Sequence, residues 1–590
     1  MKKPDYEKIR KHVYRRCNDM FTAFDRRKKI LLEAAREFKP LAVPGLELGV
    51  EQIADGWHFD DDHRMLTTLP VQILRKSAGG FLANLTSPSR QWFDLLSSKS
   101  EKTDHAVEIA LDKLREATEK TFQRTNAYAQ IYKMFEDVMW AGFSCMIVNE
   151  DEENVCSFQT LRIGTYALDI DDQKGMVNRV ARRFAWTPEY ILDKFGPDAT
   201  PQYVKDLCKK GSNRRLEIWN LIEPNPQGFN RKFDPIEKDG KKVVEEENEY
   251  RSFYFIKGAG ATDKRGGDRA GILKIAGYTH NPIIAPRLDY EQGDVYGLGR
   301  GIDGLYNARG VQTFKADELR IDGVRAQQPV VATAEFKNRI SLGRKGVNIA
   351  KQGEQVKDRV VPIFSVLPDA SDTRQCLLES KEELEQLFYV DAFAVIDSQK
   401  NNPGVKTATE VEYLKTENLA KLGAITINLN IEMLEPMVRT VCKYTYERDT
   451  MTLTDEHRQI LEENGALNGL EIEYVSQIAL AQKAGALTSV QQYVAFAGTL
   501  AAMKQDPMDN PADNLDTDAT LKLVGQMLNV PEIVNKDAKD VEKKRAAMAQ
   551  AAAEEKRMAE TGALVDAAKQ IGEIPLDKAH VGGALAEGLK

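Results

Sequence analysis

Apolar positions recur with helical spacing over a long stretch in the last third of the chain. They lie mostly three, four or seven positions apart, which places them along one stripe of a helix: Val411, Leu414, Leu422, Ile425, Leu429, Met433, Met437, Val441 and Tyr444. The spacing predicts one helix over 407–448, with Thr407 or Thr409 as its N-cap. Pro436 removes one backbone donor, so we expect a kink within a continuing helix. At about 1.5 Å per residue this helix spans about 60 Å, longer than an ordinary globular domain requires.

The first 300 residues mix helical and strand patterns. Helical spacing predicts helices over 6–38, 66–85 and 104–140, and Pro188 marks the first turn of a short helix. Runs of β-branched and aromatic residues predict strands at 143–148, 156–161, 177–184, 216–222, 250–256 and 272–278. Pro88 ends the second helix, and Trp92 and Phe93 are expected to anchor the turn that follows. These patterns predict an α+β body.

Two helical patterns flank a small β-rich segment in the middle of the chain. We predict a helix over 301–327, short strands at 329–332 and 360–363, a helix over 371–390 and a polar loop over 391–406. Beyond the long helix the pattern predicts a strand at 470–474 and helices over 479–503, 521–528 and 538–560. The Gly/Ala-rich segment 561–590 is expected to be partly disordered.

Composition narrows the class of protein. The chain has 590 residues, enough for two to four domains, with 42% hydrophobic and 29% charged residues, as in soluble globular proteins. The formal net charge of -8 argues against a dedicated nucleic-acid coat, although DNA could still slide past such a surface. No apolar run approaches the length of a membrane span, and the first residues are charged, so we expect the chain to stay in the cytosol where it is made.

Cysteine and histidine give no sign of a metal centre. The six cysteines are scattered without a Cys-x-x-Cys pair, which favours reduced structural thiols. His58 and His63 lie among Asp55 and Asp60, but no second cluster supplies further ligands, so an exposed acidic loop is the better interpretation. We therefore expect no metal and no cofactor.

A glycine-rich turn resembles a dinucleotide-binding motif. In Gly297-Leu298-Gly299-Arg300-Gly301 the third glycine comes one position early, and no clean βαβ unit follows. The alternative is a helix entry at which glycine lets neighbouring chains approach closely. No P-loop, His-Glu-x-x-His or Gly-x-Ser-x-Gly motif is present, so the sequence assembles no catalytic site and we expect no enzyme.

The order helix, small β insert, helix, loop and long kinked helix is similar to that of a known family. Together with Pro286-Arg287 followed by Val295-Tyr296-Gly297, and with Thr407-Ala408-Thr409-Glu410-Val411, it resembles the portal (head-to-tail connector) proteins of short-tailed bacteriophages. A helix that closes on Ser87-Pro88 before Trp92-Phe93 extends the resemblance, which covers roughly residues 60–540 as an order of elements. Lys406 departs from it, since an apolar residue is expected before Thr407.

The resemblance implies an α+β, mostly helical, portal-type fold that assembles as a ring. Its expected parts are a wing over 1–300, a stem over 301–327 and 371–390, a clip over 328–370, a channel loop over 391–406, a long kinked helix over 407–448, a crown over 449–560 and a flexible tail over 561–590.

The resemblance also implies a function. We expect a homo-oligomeric ring of twelve subunits at one capsid vertex, through which DNA enters during packaging and leaves at infection. The expected partners are a terminase motor, tail adaptor proteins, major capsid and scaffolding proteins, and double-stranded DNA bound without sequence specificity, with no membrane. The protein would lie in the virion and, during assembly, in the host cytoplasm.

Charge suggests two contact surfaces on this ring. Segment 328–370 carries seven basic residues against four acidic ones in an acidic chain, which suggests a docking surface for motor and tail. Six of the seven are the candidate docking residues: Arg339, Arg344, Lys345, Lys351, Lys357 and Arg359. In the polar loop, Gln399, Lys400 and Lys406 are the candidate contacts to DNA phosphates. An ordinary exposed turn is the alternative, with Lys406 paired to Glu410.

Two other functions remain open at the level of sequence. One is a cytosolic nucleotide-dependent enzyme that uses the turn 297–301, which nucleotide binding would reveal. The other is a non-viral helical scaffold, which particle size in solution would distinguish from a ring.

Overall fold

The fold is seen here in a computed structural model. It describes residues 6–51, 65–97, 105–151, 153–171, 175–225, 248–258, 269–326, 370–397, 425–448, 453–463, 470–474, 490–499 and 516–527, with shorter pieces at 236–238, 241–243, 330–332, 360–362, 422–423, 541, 543–554 and 557–558.

Helices dominate the first 210 residues. In chain order they are α1 (Tyr6–Asp25), α2 (Lys28–Phe38), α3 (Val43–Leu48), α4 (Leu69–Leu85), α5 (His105–Arg124), α6 (Ala127–Ala141), α7 (Pro188–Ala199) and α8 (Gln202–Lys209). A 3-10 turn, Pro40–Ala42, leads into α3.

Antiparallel strands form the body between and after these helices. They are β1 (Phe93–Ser97), β2 (Met146–Asp151), β3 (Val155–Thr160), β4 (Tyr166–Ile170), β5 (Val177–Trp186), β6 (Leu216–Pro224), β7 (Ile236–Lys238), β8 (Lys241–Val243), β9 (Tyr250–Ile256), β10 (Ile272–Tyr278) and β11 (Ile283–Ile284). A five-stranded sheet has the order β10-β9-β6-β5-β4, and a three-stranded sheet has the order β11-β2-β3. The α+β body predicted from the patterns is confirmed.

The second half of the chain is again mainly helical. Its elements are α9 (Arg300–Asp303), α10 (Leu305–Ala326), β12 (Val330–Ala332), β13 (Val360–Pro362), α11 (Ser371–Leu387), α12 (Val390–Asp397), a π-helical turn (Asn430–Leu434), α13 (Glu435–Arg448), α14 (Asp455–Glu463), β14 (Leu470–Tyr474) and α15 (Thr517–Met527). β12 and β13 pair with each other, which confirms the small β insert.

Two predicted long helices are wrong, because each is two helices. The first breaks at Arg26 and Arg27, where the Arg27 side chain donates to the carbonyls of Tyr296 and Gly297, 3.2 and 3.3 Å away. The second breaks at Asn126, whose side chain brackets the backbone of Phe158: its amide donates to the carbonyl at 2.8 Å and its oxygen accepts from the N–H at 3.1 Å.

The segment after the β insert also departs from prediction. The helix expected over 371–390 ends at Leu387, because Tyr389 adopts a left-handed backbone conformation with φ 61°. Residues 391–397, which were expected to be loop, belong to α12. Phe393 of this helix packs edge-on to Phe81 of α4, with ring centroids 4.9 Å apart, so α12 is fixed on the body.

One strand pairing joins distant parts of the chain. β1 pairs antiparallel with β14, from Phe93 opposite Tyr474 to Ser97 opposite Leu470. Phe93 was expected to anchor a turn and instead begins a strand, whereas the predicted strand at 470–474 is confirmed. Trp92 and Phe93 are fully buried, so this part of the C-terminal region is built into the main core.

The long helix continues through Pro436, as the sequence predicts, by a π turn that the sequence did not reveal. Residues 425–448 are helical throughout, and the turn just before Pro436 is π-helical from Asn430 to Leu434. A π turn carries one extra residue and accommodates the proline without ending the helix. All seven positions of the predicted apolar stripe that the structure describes are buried: Leu422, Ile425, Leu429, Met433, Met437, Val441 and Tyr444. Residues 407–421 lie outside the described residues.

Farther along, the described residues inside the predicted helices 479–503 and 538–560 are helical, and α15 falls over the predicted 521–528. Among the helices that the structure describes, none is both long and apolar enough to cross a membrane.

Candidate functional site

The most distinctive feature of the molecule is a pair of antiparallel helices, α10 and α11, which we call the helical hairpin. Asn307 donates to Glu383 over 2.9 Å near its base, and Arg374 donates to Glu318 over 2.7 Å farther along. Buried side chains are confined to the base: Ala308, Val311 and Leu384. Beyond these levels the described side chains of both helices are half-buried or exposed, so the far part of the hairpin has little cover apart from its own two helices.

Charged side chains hold the far part of the hairpin together. Glu318 also accepts from Lys315 at 2.7 Å, and Arg374 reaches Asp322 at 3.5 Å. The hydrogen bonds from Lys315 and Arg374 hold the pKa of Glu318 below its ordinary value. Because these pairs are exposed to water, they orient the two helices and contribute little stability.

The far end of the hairpin leads into the basic segment. In chain order α10 is followed by β12, and β13 precedes α11, so the two-stranded pair joins the ends of the two helices. The predicted docking residues fall between the two strands and lie outside the described residues: Arg339, Arg344, Lys345, Lys351, Lys357 and Arg359. The candidate DNA contacts Gln399, Lys400 and Lys406 follow α12 and are also outside the described part of the chain.

The base of the hairpin is fixed by the glycine-rich turn. A Cβ at Gly299 would lie 2.3 Å from the nitrogen of Gly142, and one at Gly301 would lie 2.6 Å from the carbonyl oxygen of Trp140. Gly142 itself has φ +90°, which favours glycine, and ends α6. The turn is therefore filled by the backbone of the same chain. This packing supports a close-approach role for the glycines and contradicts their use as a cradle for a nucleotide.

Arg300 ties the same turn to its surroundings. Its guanidinium donates to the Tyr389 hydroxyl at 2.9 Å and forms ion pairs with Asp289 at 2.9 Å and Asp303 at 3.3 Å. Arg300 thus connects the turn that leads into α10 to Tyr389, the left-handed residue that follows α11.

A buried ion pair fixes the preceding segment to the π turn of the long helix. The side chains of Arg287 and Glu432 are only 1% and 4% exposed. The Arg287 backbone N–H and Nε donate to Glu432 Oε2 at 2.9 and 3.2 Å, and Nη2 contacts Oε1. The remaining guanidinium donors reach the carbonyls of Asp294 at 2.6 Å and Gly175 at 2.7 Å. Each of the three guanidinium nitrogens of this buried cation therefore has an acceptor.

Sequence reasoning singled out Pro286-Arg287 as a motif but did not pair it with Glu432. The available signal was a carboxylate at position 432 beside the apolar stripe, three residues after Leu429. A charge next to the buried face of a helix requires a partner.

Metal ligation finds no support in this region. Within the part of the chain that the structure describes, no group of three His, Cys, Asp or Glu side chains could hold a metal ion. The acidic loop around His58 and His63 lies outside it.

Comparisons with known proteins extend over nearly the whole chain. The family model described as bacteriophage head to tail connecting protein matches residues 15–534. The portal protein of Salmonella phage epsilon15 is 27% identical over 486 residues, which are 80% of this chain and 81% of that protein. The probable portal protein of Bordetella phage BPP-1 is 26% identical over 529 residues, 88% of each chain.

Solved structures of gene transfer agent (GTA) particles also match. A chain in the virion of a native particle covers 73% of this chain and 95% of its own length, with 11% identity and a TM-score of 0.28. A chain in the neck of an empty particle, computed with C6 symmetry, covers 69% and 87%, with 10% identity and a TM-score of 0.29.

Proposed function

The chain belongs to the family of bacteriophage head to tail connecting proteins, and from this we propose that it forms a ring of twelve subunits at one vertex of the capsid. It is a portal, or head-to-tail connector, protein. In the proposed ring, DNA passes through a central channel during packaging and again at ejection. Assembly takes place in the host cytoplasm with the major capsid and scaffolding proteins.

The helical hairpin is the observation that carries this proposal. Its far part exposes large apolar side chains, including Leu319 at 50% and Leu378 at 54%. Exposed apolar side chains on a projecting pair of helices indicate a contact surface for a neighbouring molecule. Because the two flanks are different, a neighbour placed on each makes a heterologous contact, and a rotation that closes such contacts gives a ring.

Negative-stain microscopy of the purified full-length chain tests the ring. The expected result is closed rings with a central hole and a single size class in solution. A stable monomer over a wide concentration range, from nanomolar to tens of micromolar, contradicts it. A nucleotide-binding measurement on the same sample is expected to show none, since the turn 297–301 is filled by backbone.

We place the docking surface for terminase and tail adaptors on the clip, residues 328–370. Its local excess of positive charge falls between β12 and β13 in the chain and would suit an acidic surface on a partner. Reversing Arg344 and Lys345 to glutamate should leave rings intact and weaken binding of terminase or of the tail adaptor. Unchanged binding of both partners at physiological salt contradicts this placement.

We place the DNA contact on the loop that follows α12, with Lys400 and Lys406 nearest the phosphates and Gln399 beside them. Contacts of lysine to phosphate carry no sequence information and weaken as salt rises. The double variant Lys400→Ala, Lys406→Ala should form rings and package DNA, yet retain it less well than the parent as salt is raised. Equal retention across the salt range rules this contact out.

The catalytic step of packaging belongs, in this proposal, to the separate terminase motor. The role of this chain is mechanical and electrostatic, with no cofactor of its own.

A further inference from the structure

The two outward flanks of the helical hairpin carry complementary polar stripes. On α10, positions seven apart present Tyr306, Thr313 and Arg320, all exposed. On α11, positions seven apart present Asp372, Glu379 and Gln386, also exposed. Residues seven apart lie on the same face of a helix, so each set forms one stripe.

These stripes point away from the contact between α10 and α11. Glu318 and Arg374 bond to each other and therefore lie on the facing sides of the two helices. Arg320 and Asp372 are each two positions away from those residues, a rotation of about 200° around the helix. Arg320 therefore faces out on one flank of the hairpin and Asp372 faces out on the opposite flank. The Arg320 side chain is 80% exposed, with Asp317 of its own helix 3.2 Å away.

The stripes also match in height along the hairpin. Since Asn307 lies beside Glu383 and Glu318 lies beside Arg374, Arg320 is level with Asp372. By the same register Thr313 is level with Glu379 and Tyr306 with Gln386. In a cyclic ring whose hairpins run parallel to the axis, residues at one level of one subunit face that level of its neighbour.

We propose that neighbouring subunits join through these stripes, with Arg320 of one subunit paired to Asp372 of the next. The proposal rests on the ring proposed above and identifies the occupant of the hairpin flank as a second copy of this chain. At the other two levels Thr313 faces Glu379 and Tyr306 faces Gln386, so no like charges face each other. Opposite charges at a heterologous contact fix register and suppress wrong pairings.

Charge reversal tests the pairing. Arg320→Glu alone and Asp372→Arg alone each place like charges across every interface and should raise the concentration needed for rings by about tenfold or more. Combining both changes in one chain restores opposite charges. Mixing the two single variants also restores them, because in an alternating ring each interface then joins a carboxylate to a guanidinium. Particle mass is measured by mass photometry, with circular dichroism to verify that each variant is folded.

Arg15→Glu is the matched control. Arg15 is an exposed arginine on α1 with a carboxylate, Asp19, at 3.9 Å on its own helix, and should assemble like the parent. Loss of rings in both single variants, regained in the double variant and in the mixture, supports the pairing. Single variants that assemble like the parent overturn it while leaving the ring intact, as does a loss that neither the double variant nor the mixture repairs. A parent that never forms rings overturns the proposed function instead.

Discussion

Replacing Glu432 by glutamine separates the electrostatic role of the buried anchor from its packing role. Glutamine has nearly the same volume, so the change leaves no cavity, but it removes the charge and turns one acceptor into a donor that faces the guanidinium. Arg287, 1% exposed, then becomes a buried cation without a counter-charge. Removing one partner of a buried pair costs about 3–5 kcal/mol.

The same helix supplies a matched control. Glu435, three residues along, accepts from Arg439 at 2.9 Å, and both side chains are about two-fifths exposed. An exposed pair four residues apart on a helix contributes about 0.3–0.5 kcal/mol. Glu435→Gln should therefore change the local free energy of opening by about a tenth of the effect of Glu432→Gln.

Hydrogen exchange read by mass spectrometry is the suitable assay, because it reports local opening and does not require two-state unfolding of a large multi-domain chain. In peptides that cover 283–298 and 425–434, a loss of 3 kcal/mol corresponds to amide exchange faster by about a hundredfold. Glu435→Gln should accelerate the same amides by about threefold or less. Equal effects of the two variants would refute the view that this ion pair holds the π turn to the body.

Further predictions concern acid stability, helix packing and thiol reactivity. Burial would raise the pKa of Glu223, but His12 at 3.4 Å and Arg251 at 2.8 Å outweigh burial and hold this pKa below its ordinary value of 4.5. The stabilising contribution of Glu223 is therefore present above about pH 4.5 and is lost as the pH falls through the lower folded pKa. Glu223→Gln should lower the Tm at pH 7, and its difference from the parent should shrink in acid. Gly80→Ala should lower the Tm, because its Cβ would meet the Phe393 ring at 2.3 Å, whereas Gly79→Ala, with open space around it, should raise stability by about 0.5–1 kcal/mol. Burial raises the pKa of the Cys145, Cys156 and Cys442 thiols to about 12, so at pH 8 a thiol reagent should label the partly exposed Cys208 quickly and the buried cysteines only on unfolding. Cys376, on the flank that a neighbouring subunit covers in the proposed ring, should label quickly only in unassembled subunits; rapid labelling of more than these two thiols in folded protein would contradict this.

Local patterns predicted most of the elements because each such pattern reflects burial on one face. The strands at 250–256 and 272–278 have the predicted bounds, and the helices on either side of the β insert are present. The breaks at Asn126 and Tyr389 could not be predicted in this way. At each break the side chain contacts a residue far along the chain, the Phe158 backbone in one case and Arg300 in the other.

The anchor of the hairpin was harder to predict than the hairpin itself. Arg287 and Glu432 are 145 positions apart, and their meeting depends on the π turn, whose extra residue shifts the register that a 3.6-residue period assumes. The glycine turn showed its unusual composition, but only the fold shows that Trp140 and Gly142 fill it. The proposed docking and DNA contacts were inferred from charge and from the resemblance, and they stay predictions.

The base and the far part of the hairpin are held together by different kinds of contact. At the base, backbone packs against backbone at Gly299, and each guanidinium nitrogen of Arg287 has an acceptor. Such contacts have one geometry and cannot slide. In the far part, polar pairs such as Arg374–Glu318 orient the two helices and contribute little stability. The outward flanks of both helices stay open. In the proposed ring, a subunit built in this way brings a fixed direction to the assembly, and its neighbours supply the cover that its own fold does not.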